Sequence, residues 1–215
     1  SIGSANAATI MDLLSGIDPK AVLFLGKCGG LKKKNKVGDL ILPIAAIRGE
    51  GTSNDYLPMR VPALPAFSLQ KAISTTIREF KKDYWTGTVY TTNRRVWEHD
   101  SKFKKYLQKT RSMAIDMETA TIFTVGFVNE IPTGALLLVT DQPMIPEGIK
   151  TIESDKKRIN VKLLNVEDGR NFWSETLRAS DFKGTGDFID EATGLIAGRI
   201  AGHDGAIHRD ILKKA

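Results

Sequence analysis

Ala21-Val22-Leu23-Phe24-Leu25 is a short, unbroken apolar run set between a helix breaker, Asp18-Pro19, and the glycine-rich stretch Gly26-Lys27-Cys28-Gly29-Gly30. An apolar run that short, with no polar alternation, reads as a strand buried on both faces, and such a strand needs helices over its sheet. The residues before it support this. Ile10, Leu13 and Leu14 recur at helical spacing from Ser4 to Leu14, and Ser4 or Asn6 can cap the start. Helix, break, buried strand and glycine turn in succession predict the α/β class.

The pattern continues along the chain. Leu40 to Ile47 is a second apolar run, and residues 49–66, with two glycines and three prolines, read as a long loop. Phe67 to Phe80 has helical periodicity and Thr86 to Thr92 is β-rich. Phe103 to Leu107 is predicted helical, Met113 to Met117 a short strand, and Glu118 to about Val128 a helix. Gly134 to Thr140 is a further buried strand ending at Asp141. Beyond residue 150 the character changes, with a charge run at Asp155–Arg158, a candidate strand at Asn160–Val166, frequent glycine from Gly184 to Gly205 and an amphipathic end at Ile207–Lys214.

Charge follows the same division. Residues 1–150 carry 20 Lys/Arg against 14 Asp/Glu, and residues 151–215 carry 11 of each, so the net +6 lies wholly in the first part. A basic surface suits nucleic acid, a membrane surface or a small anion. The lysines at 32–34 and 36 are not interleaved with aromatic residues that could stack on bases, which argues against nucleic acid. No apolar run approaches the roughly 18 residues of a membrane helix. The start of the chain lacks the pattern of a secretory signal, and one cysteine excludes an internal disulfide framework and a cysteine zinc cluster. These features predict a soluble cytoplasmic protein with no nucleic-acid or membrane partner.

Three segments at strand ends carry the candidate chemistry: Gly26–Gly30, Asp116–Glu118 and Asp141. Ligands of open α/β sheets bind outside the carboxyl ends of strands. Each signal alone has a plain alternative. An Asp after a strand more often caps a helix or forms a turn, and Cys28 alone reads more readily as a buried small residue than as a nucleophile. Gly29 and Gly30 would let a backbone approach a ligand closely. No dinucleotide-binding or Walker pattern is present, and no metal or cofactor is implied.

Taken together, Gly3-Ser-Ala-Asn-Ala-Ala-Thr9, Leu25-Gly-Lys-Cys-Gly-Gly-Leu31, Gly38-Asp-Leu-Ile-Leu-Pro43, Arg48-Gly-Glu-Gly51, Arg95-Val-Trp-Glu98, Ala114-Ile-Asp-Met-Glu-Thr119 and Val139-Thr-Asp-Gln-Pro143 resemble the nucleoside phosphorylase/nucleosidase superfamily. The Gly-Lys-Cys-Gly-Gly-Leu and Arg-x-Trp-Glu stretches resemble its AMP-specific branch. The resemblance implies a three-layer α/β/α fold with a mixed central sheet, and hydrolysis of AMP to adenine and ribose 5-phosphate. It implies Asp141 as the general acid on the purine, a role that needs a pKa raised by burial. It implies Glu118 on the ribose hydroxyls with Met117 against the sugar, and Gly3, Ser4 and Asn6 at the ribose-phosphate end. Cys28, Gly29 and Gly30 would lie along the substrate. Arg48 or Arg95 would take the 5′-phosphate, since guanidinium forks match phosphate oxygens. Trp97 would line the base pocket or sit in the core.

The resemblance spans Gly3 to about Lys157. It predicts a catalytic domain over 1–157, lacking an N-terminal segment that relatives carry, and a divergent region over 158–215. It implies a small-molecule substrate and a homo-oligomer. Two other readings stay open: a phosphorylase or nucleosidase acting on unphosphorylated purine nucleosides, and a non-catalytic scaffold of the same fold.

Overall fold

The computed structural model describes residues 3–145, 159–164 and 171–177. The chain divides into two units, Ser1–Lys150 and Thr151–Ala215. In the second, the strands Ile159–Leu164 and Asn171–Leu177 form an antiparallel pair. The first of these corresponds to the strand expected at Asn160–Val166. The charge run, the glycine-rich stretch and the amphipathic end lie outside the described residues.

The first unit alternates helix and strand. Its helices are α1 (Ser4–Ser15), α2 (Phe67–Glu79), α3 (Ser101–Thr110) and α4 (Thr119–Val128). Its strands are β1 (Val22–Gly30), β2 (Leu40–Gly49), β3 (Trp85–Thr92), β4 (Ala114–Asp116) and β5 (Thr133–Asp141). They form one mixed sheet in the order β1-β4-β3-β2-β5, which closes where β5 pairs in parallel with β1. The pairs β2–β3 and β3–β4 are parallel, whereas β1–β4 and β2–β5 are antiparallel.

Alternating side chains place helices on both sides, as the period of two along a strand requires. Ile41, Val89, Ala114 and Leu137 point into a core with α1 and α4. Their neighbours Leu42 and Leu136 pack on Ile73 and Ile77 of α2, and Tyr90 and Ile115 pack on Leu107 of α3. Helix α4 is buried from Thr119 through Gly126. A Cβ on Gly126 would sit 2.2 Å from the Thr133 side chain, so glycine sets how closely α4 approaches the start of β5.

Two expectations need correction. The glycine-rich stretch after Leu25 is not a turn: β1 continues to Gly30, paired on one side with β5 and at its end with β4, with an irregularity between Cys28 and Gly29. Nor is β1 buried on both faces, since Leu23 and Leu25 are 44% and 71% exposed. Only the face carrying Phe24 and Cys28 enters the core.

Candidate active site

The carboxyl ends of β1 and β5 lie side by side, and β4 runs antiparallel along the last residues of β1. Gly29 of β1 pairs with Asp141 of β5 on one side and with Ile115 of β4 on the other. Asp116, ending β4, pairs with Thr91 of β3. Cys28 is buried at this junction. Burial first, then the charges of Asp116 and Asp141, push its thiol well above the usual range. That is the environment of a packed thiol rather than of a nucleophile, which works as the thiolate. Neither Gly29 nor Gly30 has room for a side chain. A Cβ on Gly29 would meet Pro143 at 2.9 Å and one on Gly30 would meet Asn35 at 2.9 Å, so protein side chains fill that space.

The Met117-Glu118 pair is fixed by the start of α1. Gly3 takes φ 86°, a left-handed value, and its N–H donates to Glu118 Oε1 at 2.6 Å. Ser4 Oγ donates to the Met117 carbonyl at 2.6 Å, and the Met117 N–H donates to Glu118 Oε2 at 3.3 Å. The positive end of α1 favours a carboxylate there. Burial nevertheless raises the Glu118 pKa, against the lowering effect of the Gly3 amide, while the Asp116 charge adds to the rise. Glu118 and Met117 are partly buried, and Asn6 lies exposed on the first turn of α1.

Asp141 is partly buried, and Thr140 Oγ1 donates to its Oδ1 at 2.9 Å. The lysine-rich turn supports it from behind. Gln142 Nε2 donates to the carbonyl of fully buried Asn35. The Asn35 side chain accepts the Lys32 N–H at 3.0 Å, and Gly38 N–H donates to the Val139 carbonyl at 2.8 Å. The lysine-rich turn thus has a buried polar anchor beside the strand end.

The structure separates the two arginines. Arg48 directs its guanidinium into the 49–66 loop: Nε donates to Ser53 Oγ, Nη1 to the carbonyls of Pro58 and Val61, and Nη2 to those of Ser53 and Leu57. All five N–H donors are occupied, so the expectation of Arg48 as a phosphate ligand is corrected. Arg94 is paired with Asp100 at 2.8 Å. Arg95 is exposed and has no hydrogen bond or ion pair with the described residues. Trp97 takes its core alternative, buried with Leu31, Leu107 and Ile115 and edge-on to Phe103 at 5.6 Å.

Asp116 lies in the candidate segment Asp116–Glu118, but the motif reading gave it no role of its own. It is 5% exposed and is surrounded by hydroxyl and amide donors from Thr91, Glu118 and Thr119. The signal was present as an Asp three residues before a Thr at a helix start, a capping spacing. Among the described residues no group of three His, Cys, Asp or Glu could hold a metal ion, and no helix is long and apolar enough to cross a membrane. Two carboxyl groups thus follow β4 and end β5, the two strands that flank β1, one held by a helix N-terminus and one beside a hydroxyl.

An α/β fold with strand-end carboxyls and a helix N-terminus at the Met117-Glu118 pair defines a class. The family model of the Phosphorylase superfamily matches residues 1–165, and the chain belongs to that superfamily. Within it, the chain is 35% identical over 152 residues to an AMP nucleosidase of Escherichia coli (strain K12), covering 66% of this chain and 31% of that one. It is 26% identical over 164 residues to a uridine phosphorylase of Treponema pallidum, covering 71% and 63%. The crystal structure of AMP nucleosidase from Bacteroides thetaiotaomicron matches at 70% identity and a TM-score of 0.64, over 65% of this chain and 61% of that one. The chain thus spans about a third of the Escherichia coli relative's length.

Proposed function

We propose that the chain hydrolyses the N-glycosidic bond of AMP, giving adenine and ribose 5-phosphate. The observation that carries this reading is the Glu118 carboxylate, held by the Gly3 amide at the start of α1 and one strand away from Asp141. Similarity to two AMP nucleosidases supports the choice of nucleotide.

Cleavage of a purine N-glycosidic bond builds positive charge on the sugar and negative charge on the base. Asp141 donates a proton to the purine N7, which turns adenine into a workable leaving group; as the C1′–N9 bond breaks a water oxygen bonds to C1′, and the proton that water releases restores protonated Asp141. Glu118 accepts the ribose hydroxyls and stabilises the cationic sugar, with Met117 packed on the ring. Ser4 and Asn6 on the first turn of α1, with Gly3 before it, face the ribose-phosphate end. Arg95, with its donors free of the described residues, binds the 5′-phosphate. Residues 1–157 carry this chemistry, and residues 158–215 lie outside it. The protein acts as a cytoplasmic homo-oligomer on a small-molecule substrate and needs no metal or redox cofactor.

The test is product analysis in phosphate-free buffer. Equal amounts of adenine and ribose 5-phosphate from AMP are expected. Turnover that requires added phosphate would make the chain a phosphorylase, and purine binding without turnover would make it a scaffold.

A further inference from the structure

Asp116 receives more hydrogen bonds than a plain turn former needs. Its Oδ2 accepts the Thr119 N–H at 2.8 Å, the Thr119 hydroxyl at 2.5 Å and the Glu118 N–H at 3.4 Å. Its Oδ1 accepts the Thr91 hydroxyl at 2.7 Å. The Thr91 oxygen in turn accepts the Ala120 N–H at 2.9 Å. Every partner is a donor, so the buried group is held as an acceptor on both oxygens. The network ties β3, β4 and the first turn of α4 together at the peptide that carries Glu118.

We infer that Asp116 is a positioning residue for the Glu118 carboxylate. Glu118 is fixed from two directions: its side chain by Gly3 from α1, and its backbone by Asp116 from β4. The sugar then meets a carboxylate whose place is set before binding. The inference rests on the AMP reading for the identity of the substrate, but not for the geometry. Asparagine changes the network. An NH2 turned toward Thr119 faces the Glu118 and Thr119 N–H donors, and one turned toward Thr91 makes that hydroxyl an acceptor and ends its donation to residue 116.

The test uses Asp116→Asn with two readouts. The first is kinetic: kcat/KM for AMP falls on the order of tenfold to a hundredfold, as for a reacting group displaced by about 1 Å. Ribose 5-phosphate binding weakens with it, while adenine affinity stays within about twofold. The second is the Gly3 amide resonance in a 1H–15N spectrum of the full chain. A short bond to a carboxylate holds that proton downfield, and Asp116→Asn moves it toward the ordinary range. Thr119→Val removes one donor and keeps Asp116. It shifts both readouts in the same direction by less, and decides the matter if Asp116→Asn does not fold. An unmoved Gly3 resonance with unchanged kcat/KM overturns the inference, as does equal loss of adenine and ribose 5-phosphate binding. A moved resonance in a protein whose wild type releases no adenine from AMP sinks the AMP reading and leaves the positioning role standing.

Discussion

The Gly3 amide donates to Glu118 Oε1 at 2.6 Å across 115 positions of sequence. The bond joins the start of α1 to the end of β4, and it depends on the positive φ of Gly3. A Cβ there would meet nothing within 4 Å, so an added side chain acts through the backbone alone. Gly3→Ala is expected to cost about 1–3 kcal/mol, since φ 86° with ψ 160° is a region essentially confined to glycine, or to turn the amide away from Glu118. Either outcome raises the KM for AMP, which steady-state kinetics would show.

Burial holds the Glu118 carboxyl above its ordinary pKa, and this fixes the sign of two pH effects. Protonated Glu118 cannot accept ribose hydroxyls, so kcat/KM falls on the acid side with an apparent pKa above the usual value of about 4.3. For stability, a carboxyl raised in the folded state contributes most below its unfolded pKa, and the contribution is lost as pH rises through the folded pKa. Glu118→Gln should therefore gain in Tm relative to wild type as pH rises above the ordinary glutamate pKa of about 4.3. Thermal melts of both proteins would show a gap of the opposite slope if the assignment were wrong.

Cys28 is predicted to be inert in the native protein. Burial and the nearby charges of Asp116 and Asp141 keep it a neutral thiol. Alkylation by iodoacetamide at mildly alkaline pH should be negligible until denaturant unfolds the chain. Rapid native labelling would show an open, thiolate-forming site.

Arg48 organises the 49–66 loop rather than the substrate. Arg48→Ala leaves the carbonyls of Ser53, Leu57, Pro58 and Val61 without their donor, and a loss of about 2–4 kcal/mol is expected by denaturant unfolding. Arg48→Lys supplies one point charge in place of the fork and does not restore it. An unchanged midpoint would contradict the role.

Arg95→Ala separates the phosphate ligand from the loop organiser. Its KM for AMP should rise about tenfold or more, the cost of losing a charge-assisted phosphate contact, with fold and Tm unaltered. Adenosine binding should not change. Equal effects on AMP and adenosine would remove Arg95 from the phosphate site.

Much of the fold was legible because period and punctuation are local. The helices at Ser4–Ser15 and Phe67–Glu79 and the strands ending at Asp116 and Asp141 fall where spacing, glycine and proline put them. Closure of the sheet was not legible, since the pairing of β1 with β4 is set by three-dimensional register. The exposed face of β1 escaped the reading because an apolar run looks the same whether one or both faces are covered. At the site, motifs located Glu118 and Asp141 but could not rank Arg48 against Arg95. That ranking depends on which guanidinium the loop engages. Asp116 was marked only as part of a strand-end segment, and its role went unread because its partners, Thr91 and Thr119, belong to different elements.

The central claim is that Asp141 gives its proton to the departing adenine. The most direct measurement is adenine release from AMP by wild type and Asp141→Asn, with AMP affinity measured alongside. A fall in kcat on the order of a hundredfold or more, at similar affinity, is the predicted result. Equal turnover by the two proteins would contradict it.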